Sequence, residues 1–405
     1  MQITFIRHAE TISNSSHVWQ GHRDSPLSER GRLQAAALGR RPSLGSFDLV
    51  VASDLGRVQE TAHLAGLEPE VDSAWREIHL GRWEGLTSAE IGARYPDDMA
   101  ALRGGEDIPL GGGESSSALV ERIEAAIAAI ADRTDPGDRV AVLTHGGVIQ
   151  SVVAGHLGLR GRPRPWPIDR LVNTSMTTLE YADGPILRVF NDASHTEAAR
   201  HPDETGSLVA LVRHGETLAN VEGRWQGVTD GALTEEGLAQ AARLAAVYDG
   251  FGHVYASCLQ RARDTAAALA AARGVGVAIR GDLHELDFGK WEDLTPEQVQ
   301  EQSPEAWAAV YVHHRDLPRG AIGETAAAAG RRIAAAVQEI AAAHPGEGVA
   351  VVTHGGAIRA YAADLVGLSF DNRSHLALPG NTEVSHIRVA AHGPVLSSYN
   401  MRPGR

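Results

Sequence analysis

The sequence predicts an α/β protein built from two tandem three-layer αβα domains, each with a mostly parallel central sheet. Three observations lead to this prediction. The chain repeats itself once along its length, short apolar runs alternate with helical patterns in each copy, and polar motifs follow the apolar runs. A chain of 405 residues suits two or three domains. The repeat favours two.

The repeat is visible in short motifs that recur in the same order. Arg-His-Ala-Glu-Thr at 7–11 returns as Arg-His-Gly-Glu-Thr at 213–217, and Thr-His-Gly-Gly at 144–147 returns at 353–356. A period this long indicates duplication of a whole domain rather than a solenoid. The predicted organisation is a first domain at 1–195, a polar linker at 196–206 and a second domain at 207–405.

Short apolar runs rich in β-branched residues predict buried strands. Continuous apolar runs of this kind are typical of a parallel sheet that is covered on both faces. In the first copy they are Ile3–Ile6, Asp48–Ala52 and Arg139–Leu143, and in the second Val209–Val212, Val254–Ala256 and Val349–Val352.

Helical patterns lie between these runs. Ser28–Leu38 begins with a serine N-cap, and Leu119–Ile130 carries apolar residues at three- and four-residue spacing. Ser175–Phe190 predicts a hairpin, and Glu383–Val395 holds the same place in the second copy. In layered α/β folds, ligands bind beyond the carboxyl ends of the strands. The repeated polar motifs fall at those ends, so we expect a site there.

The composition narrows the class of protein. A net charge of −14 argues against a nucleic-acid partner, because phosphate backbones are bound by clustered Lys and Arg. The single cysteine, Cys258, cannot form an internal disulfide and is expected to be a small buried residue. Ala326–Ala343 is apolar but carries charges at helical spacing, which predicts an amphipathic helix rather than a membrane span. With no signal-peptide pattern at the N-terminus, we expect a cytoplasmic protein.

Two histidines and two arginines of each copy are predicted to meet at the strand ends. They are Arg7, His8, Arg57 and His145 in the first copy and Arg213, His214, Arg261 and His354 in the second. Arginine binds tetrahedral oxyanions through a fork of donors and keeps its charge. A lone histidine would more often be a core residue, but the same pairs in both copies favour a site. The residue types therefore predict a phosphoryl site in which a histidine is nucleophile or general acid–base.

These motifs resemble those of the histidine phosphatase superfamily, also called the phosphoglycerate mutase-like family, twice over essentially the whole chain. The segment 213–217 matches the family signature, and 7–11 matches it with Ala in place of Gly. The resemblance implies that His8 and His214 attack phosphorus and become phosphohistidines, without metal or cofactor. It also implies that the phosphate is held by Arg7, Asn14, Arg57 and His145 in the first copy and by Arg213, Asn220, Arg261 and His354 in the second.

The resemblance further implies one carboxylic acid in each copy, Glu77 and Glu285, which protonates the leaving oxygen and then activates water. A shared context, Glu-x3-Gly-x-Trp, favours this pair. Other carboxylates compete with them on the residues alone. These are Glu84 and Glu114 in the first copy and Glu292 and Glu324 in the second.

The two copies also differ from each other. Asp293 stands where the first copy has Gly85, and His79-Leu80 stands where the second copy has Asp287-Phe288. These departures leave the histidines and arginines intact. They suggest that the two pockets differ in substrate, or that one of them is weaker.

The leading hypothesis is a metal-independent phosphatase for small phosphate monoesters, with a potential active site in each domain. One alternative is phosphoglycerate mutase-type transfer. The resemblance implies that mutases of this family carry extra basic residues in a cover segment over the substrate. The corresponding cover segments, Tyr95–Gly111 and Gln302–Arg319, contain no dense basic cluster, which disfavours this alternative. Another is one catalytic domain beside a regulatory domain that binds a phosphorylated ligand. The expected partner is a small phosphorylated metabolite rather than nucleic acid or membrane, and contact between the domains is expected. Substrate, pathway and oligomeric state stay open.

Overall fold

The chain divides into two compact units, Met1–His201 and Pro202–Gly404, in this computed structural model. Each unit is a mixed α/β layer structure, which confirms the predicted fold class. The structure describes residues 1–162, 165–182, 184–196, 206–370 and 375–404. Residues 197–205 of the predicted linker therefore lie outside the described residues.

The first unit is built around a mostly parallel sheet. Its strands are β1 (Gln2–Arg7), β2 (Leu49–Ala52), β3 (Glu70–Val71), β4 (Arg139–Thr144), β5 (Met176–Tyr181) and β6 (Pro185–Asp192). The strand order is β3-β2-β4-β1-β5-β6, with the first four parallel and the last two antiparallel. Its helices are α1 (Ile12–Ser15), α2 (Glu29–Gly39), α3 (Gly56–Leu64), α4 (Ser88–Arg94), α5 (Pro96–Gly104), α6 (Ser116–Ala131) and α7 (Gly146–His156).

The second unit repeats this arrangement. Its strands are β7 (Ser207–Arg213), β8 (His253–Ser257), β9 (Val277–Arg280), β10 (Gly348–Thr353), β11 (Val384–Ala390) and β12 (Gly393–Met401). Their order is β12-β11-β7-β10-β8-β9, again with the two hairpin strands antiparallel. Its helices are α8 (Leu218–Val221), α9 (Glu235–Val247), α10 (Gln260–Arg273), α11 (Pro296–Gln302), α12 (Pro304–Trp307), α13 (Ala326–Ala343) and α14 (Gly355–Val366).

The strand register brings the separated motifs together. In the first unit Arg7 pairs with Thr144, and the backbone N–H of His8 donates to the Thr144 carbonyl at 2.9 Å. In the second unit Arg213 pairs with Thr353 in the same way. Because parallel strands end at the same edge of the sheet, the residues that follow each strand converge there.

The helices cover the sheets with their apolar sides. Helix α13 contains the stretch predicted to be amphipathic, and it buries Ile333, Val337 and Ile340. Full burial of an aliphatic side chain of this size stabilises the fold by about 1.5–3 kcal/mol. Within the described ranges, no helix is long and apolar enough to cross a membrane.

The short edge strands β3 and β9 have no counterpart in the predictions. Strand β3 is two exposed residues long, so it offers no hydrophobic periodicity to detect. The helix starts were easier to predict. Ser28 caps α2, and its Oγ accepts the backbone N–H of Gly31 at 2.9 Å.

The structure explains how Asp293 can occupy the position that Gly85 holds in the first copy. Gly85 has a φ of +84°, a left-handed conformation that favours glycine, and Asp293 adopts a similar φ of +61°. Aspartate tolerates this region better than most residues. Its carboxylate accepts a hydrogen bond from Arg224 at 2.6 Å, and the first copy has Val18 in place of Arg224. The exchange therefore keeps the turn and adds an ion pair.

Candidate active site

His8 lies directly after β1 and is buried. Its Nδ1 is 2.7 Å from the carbonyl oxygen of Ala9. A carbonyl can only accept, so Nδ1 carries the proton and Nε2 keeps the lone pair. Burial, Arg57 and Arg7 together hold the pKa of His8 well below 6.5. The imidazole is therefore neutral at physiological pH, with Nε2 unprotonated.

His214 has the same environment in the second unit. Its Nδ1 is 2.6 Å from the Gly215 carbonyl, and its Nε2 accepts a hydrogen bond from Arg261 Nε at 3.3 Å. Burial, followed by Arg213 and Arg261, lowers the pKa of His214 well below 6.5. The two units thus present the same neutral tautomer.

A second buried histidine faces each of these. The ring centroids of His8 and His145 are 5.2 Å apart, and those of His214 and His354 are 5.1 Å apart. Arg57 Nη2 lies 3.2 Å from His145 Nδ1, and because arginine only donates, this Nδ1 accepts. Burial is the main cause that lowers the pKa of both His145 and His354 well below 6.5.

Serines at the ends of β2 and β8 contact the second histidines. Ser53 follows β2, and Ser257 is the last residue of β8. His145 Nε2 is 2.9 Å from Ser53 Oγ, and His354 Nε2 is 2.9 Å from Ser257 Oγ. The sequence placed Ser53 at a strand end but assigned it no role. Its recurrence in the second copy, in Ala-Ser before the shared arginine, was the available signal.

The arginines are held in place by backbone carbonyls. Arg57 donates to the carbonyls of Gly21 at 2.8 Å and Arg23 at 3.2 Å, and to Asp24 at 3.2 Å. Burial lowers the pKa of Arg57 and lowers that of Arg7 to about 10, so both stay charged at neutral pH.

Both of these arginines also keep a buried donor without a partner. Nε of Arg7 and Nε of Arg57 have no hydrogen-bond partner among the residues that the structure describes. A buried unsatisfied donor costs about 1–3 kcal/mol. An anion bound beside the neutral histidines would accept hydrogen bonds from both of these donors.

The second unit holds its arginines similarly. Arg261 donates to the carbonyls of Gly227 at 2.7 Å and Thr229 at 2.9 Å, and Arg213 donates to that of Pro379 at 2.5 Å. Burial lowers the pKa of both guanidinium groups. The pocket therefore carries two fixed positive charges in each unit, although the chain as a whole is acidic.

The predicted asparagines lie at the same pockets. Asn14 Oδ1 accepts from the Thr11 N–H at 3.2 Å and from Asn173 Nδ2 at 3.3 Å. The carbonyl oxygen is thus occupied, and Nδ2 is the atom through which Asn14 can bind an anion. Asn220 is held in the same way by Thr217 and Asn381.

Asn173 and Asn381 were not predicted. Each donates through Nδ2 to the carbonyl of the first histidine, at 3.0 Å to His8 and 3.0 Å to His214. Each is followed by a threonine with a left-handed backbone, Thr174 at φ +62° in the first unit. The dipeptide Asn-Thr before the final hairpin recurs in both copies, which was the only sequence signal for this residue.

Glu77 lies at the N-terminus of α7. Its carboxylate accepts the backbone N–H of Ile78 at 2.9 Å and that of Gly147 at 3.0 Å. A Cβ on Gly147 would lie 2.4 Å from Glu77 Oε1, which explains why glycine stands there. The helix N-terminus also favours negative charge electrostatically.

Glu285 is held by three backbone donors instead of two. They are the N–H groups of Leu286 at 2.7 Å, Gly356 at 2.9 Å and Ala357 at 2.7 Å. The carboxylate of the second unit is therefore more tightly constrained than that of the first.

The competing carboxylates are engaged elsewhere. Glu84 accepts the backbone N–H groups of His22 at 2.8 Å and Arg23 at 3.1 Å, and Glu114 pairs with Arg122 at 2.8 Å. In the second unit Glu292 accepts from Val228 and Thr229, and Glu324 pairs with Arg332 at 2.6 Å. These contacts hold loops together and favour Glu77 and Glu285 as the acids.

Arg122 is a positioning residue that the sequence did not reveal. Besides Glu114, it donates to the carbonyls of Ala74 at 2.6 Å and Arg76 at 3.0 Å. It therefore holds the segment that leads into Glu77. Arg332 does the same before Glu285.

Beside the core that the two units share, the pockets differ at two sequence positions, which we call the rim pair. In the first unit the rim pair is Asp54 and Arg76, joined by an ion pair at 2.5 Å. In the second unit the same sequence positions hold Cys258 and His284. The prediction that Cys258 is buried is wrong, because it follows the last residue of β8 and is exposed there.

A second difference lies across the pocket mouth. His22 and His79 pack against each other in the first unit with ring centroids 4.9 Å apart, and His22 Nε2 is 2.9 Å from the Glu77 carbonyl. The second unit has Val228 and Asp287 at these positions. The first pocket is therefore bordered by imidazoles and the second by a valine and a carboxylate.

Comparison with known proteins agrees with this arrangement. The family model of the histidine phosphatase superfamily (branch 1) matches residues 3–193 and 209–402. Phosphoglycerate mutase-like protein 4 of Arabidopsis thaliana is 36% identical over 218 residues, covering 51% of this chain and 89% of that protein. A probable phosphoglycerate mutase GpmB of Salmonella choleraesuis is 32% identical over 215 residues, covering 49% and 96%. Each relative thus corresponds in length to about half of this chain.

Among solved structures, a phosphoserine phosphatase mutant from Entamoeba histolytica in complex with phosphoserine covers 48% of this chain and 96% of its own. It has a TM-score of 0.45 and 27% sequence identity. The family match spans nearly all of both units. The chain therefore belongs, in each half, to the histidine phosphatase superfamily.

Proposed function

We propose that the protein hydrolyses small-molecule phosphate monoesters without a metal ion, through a phosphohistidine intermediate, and that each unit is a catalytic domain. One observation carries the proposal. His8 and His214 are buried and donate Nδ1–H to the next residue's carbonyl, so Nε2 carries the lone pair beside two arginines. A neutral imidazole nitrogen in a cationic pocket is suited to attack a phosphoryl group.

In the first step His8 Nε2 forms a bond to phosphorus while the ester P–O bond breaks. Glu77, protonated in the substrate complex, gives its proton to the leaving alcohol oxygen. In the second step a water oxygen attacks phosphorus, the P–N bond breaks, and Glu77 takes a proton from the water. His8 returns to its neutral form and inorganic phosphate leaves. His214 and Glu285 have the same roles in the second unit.

The remaining predicted residues bind the phosphoryl oxygens. Nε of Arg7 and Nε of Arg57 would gain the acceptors that they lack, and Asn14 would donate through Nδ2. To bind another oxygen, His145 would carry its proton on Nδ1 and accept the Ser53 hydroxyl through Nε2, and Arg57 would turn from Nδ1 to the phosphoryl group. In the second unit the matching group is Arg213, Asn220, Arg261 and His354. Fixed donors of this kind stabilise the charge spread over the transferred group.

The test uses the full chain with His8→Ala, His214→Ala and both changes together. A panel of phosphorylated metabolites and p-nitrophenyl phosphate measures turnover, and rapid acid-free quenching with labelled substrate detects a phosphohistidine. We expect each single variant to lose one substrate group and the double variant to lose all turnover and labelling. His63→Ala, an exposed histidine, is the matched control. Full activity in the double variant would contradict the proposal. If only one of the two single variants lost activity, the unit altered in the other variant would not be catalytic.

A second candidate is phosphoryl transfer of the phosphoglycerate mutase type, which the names of the sequence relatives favour. Against it, Arg319 of the predicted cover segment is buried, donates to Asp316 and lies over the Phe370 ring at 5.0 Å. It is therefore engaged within the fold and does not face a substrate carboxylate. Transfer of label from a bisphosphorylated sugar acid to a monophosphorylated one, in excess of phosphate release, would establish the mutase.

A further inference from the structure

A cluster of metal-binding side chains lies in the second unit, away from the active site. It consists of His253, His344 and Glu347, whose ligand atoms lie within 4.8 Å of one another. Within the part of the chain that the structure describes, it is the one group of this kind. No motif in the sequence reveals this cluster, because His253 is far along the chain from the other two residues.

The cluster lies at the amino ends of the strands. His253 is the first residue of β8, and Glu347 immediately precedes β10. The active-site residue His354 follows the other end of β10. Six strand residues at about 3.3 Å each separate the two ends by roughly 16–20 Å. The cluster therefore takes no part in the phosphoryl chemistry.

The side chains are already oriented toward each other. His253 Nε2 is 2.6 Å from Glu347 Oε2, and His344 Nδ1 is 3.8 Å from the same oxygen. The two imidazole rings are stacked with centroids 3.7 Å apart. The distance of 3.8 Å is too long for a hydrogen bond, so the carboxylate does not hold a proton on His344 Nδ1.

Tyr255 provides an outer contact that suits a metal ligand. Its hydroxyl lies 2.9 Å from His344 Nε2. With Nε2–H donating to this hydroxyl, the lone pair of His344 lies on Nδ1, which faces the carboxylate. Metal-binding histidines are typically oriented by such a hydrogen bond from the other ring nitrogen.

The first unit provides an internal comparison. Its matching segments read Phe-Asp-Leu-Val-Val-Ala-Ser at 47–53 and Asp-Pro-Gly-Asp at 135–138, where the second unit has Phe-Gly-His-Val-Tyr-Ala-Ser and His-Pro-Gly-Glu. The fold is the same, so it does not require the two histidines or the tyrosine. The second unit carries both histidines and the tyrosine together. This is expected if the histidines bind a metal ion and the tyrosine orients one of them.

We propose that His253, His344 and Glu347 bind a divalent transition-metal ion, of which zinc fits the donor set best, with water in the fourth position. Two imidazoles and one carboxylate are a common zinc ligand set, at about 2.0–2.2 Å from the ion. Binding of the ion breaks the hydrogen bond between His253 Nε2 and Glu347 Oε2, and the ring proton moves to Nδ1 so that Nε2 can coordinate the ion. Separation of these two atoms requires Glu347 to move, and its side chain is 54% exposed. The ion would join the start of β8 to the loop before β10 and stabilise the second unit.

The test measures binding of Zn²⁺ alone to the chelator-treated full chain by calorimetry, and Co²⁺ binding by its visible absorption. We expect one ion per chain at this cluster. His253→Leu introduces the residue that the first unit carries at this position, and His344→Ala removes the second ligand. Each should weaken binding by about tenfold or more, and Tyr255→Phe by less.

The melting temperature, measured with and without Zn²⁺, distinguishes a loss of metal binding from misfolding of a variant. Zn²⁺ should raise the melting temperature of the unaltered chain but not that of His253→Leu, whose circular dichroism without metal should match the parent. Absence of saturable Zn²⁺ binding in the unaltered chain would overturn the proposal. Equal binding in the parent, His253→Leu and His344→Ala would also overturn it, because the ion would then lie elsewhere.

Discussion

The two pockets share their reactive core and differ at their mouths. The first histidine, the tautomer that it adopts and the asparagine pair have matching contacts in both units. Arg57 and Arg261 also donate to matching carbonyls, those of Gly21 and Gly227. The rim pair does not match, since Asp54 and Arg76 form an ion pair where the second unit has Cys258 and His284. Because the core is retained and the rim pair differs, we propose that the two pockets carry out one reaction on two substrates. The predictions below test this comparison, from the largest expected effect to the smallest.

The largest effect on kcat/KM is expected from loss of the arginine that follows the second strand of each unit, Arg57 or Arg261. Arg57→Ala in a chain that also carries His214→Ala should lower kcat/KM for p-nitrophenyl phosphate about 10³-fold or more, since it removes a fixed charge on the transferred group. Arg261→Ala in a His8→Ala chain should do the same. Arg133→Ala, an exposed residue, serves as control. If either pocket lost less than about tenfold, the two cores would not be equivalent.

The next effect concerns the acid. Glu77→Gln and Glu285→Gln, each with the other pocket disabled, should lower turnover of alkyl phosphates about 10²–10⁴-fold. The loss should be smaller for p-nitrophenyl phosphate, whose leaving group needs no proton. Glu114→Gln breaks the ion pair with Arg122, so it should lower stability without changing the ratio of alkyl to aryl turnover. An equal loss for both leaving groups would show that Glu77 is not the acid.

Exchange of the rim pair tests the proposed difference in substrate. The first pocket is tested in a His214→Ala chain that also carries Asp54→Cys and Arg76→His. The ratio of its kcat/KM values for differently charged metabolites should change by about tenfold, toward the ratio that the second pocket shows. The reverse exchange, Cys258→Asp with His284→Arg, is the matched experiment in a His8→Ala chain. Unchanged preferences in both exchanges would assign specificity to the cover segments instead.

The smallest effect is on stability as a function of pH. The pKa values of His8, His145, His214 and His354 lie well below 6.5 in the folded chain, so these groups bind protons only after unfolding. The free energy of unfolding should therefore be greatest above pH 6.5 and fall as the pH decreases below it. Urea midpoints at several pH values from 7.5 to about 5 measure this.

His22 distinguishes the pH dependence of the first unit from that of the second. The pKa of His22 is also lowered, chiefly by burial, and the second unit has Val228 at that position. His22→Gln should therefore reduce the pH dependence of the midpoint, whereas His63→Gln, which is exposed, should not. A midpoint that stayed constant down to pH 5 would contradict the lowered pKa values.

Much of the fold was predictable because its signals are local. Apolar runs marked the central strands, and the serine before α2 marked a helix start. The edge strands β3 and β9 were missed because they are short and exposed, and they form only through pairing with a neighbour. Cys258 was misplaced for a related reason, since composition favours burial of cysteine but its place after β8 exposes it.

The sequence alone determined that the chain is duplicated and which residue types each copy places at its strand ends. Repeated motifs and their order are properties of the chain, and they sufficed to predict His8, His214 and their arginines. Only the tertiary structure decided which tautomer each histidine adopts, which carboxylate reaches the helix N-terminus, and which residues from distant segments support them. Asn173, Arg122 and the cluster at His253 depend on contacts between segments far apart in sequence. Hydrogen bonds and burial across such distances arise from packing, which no local pattern contains.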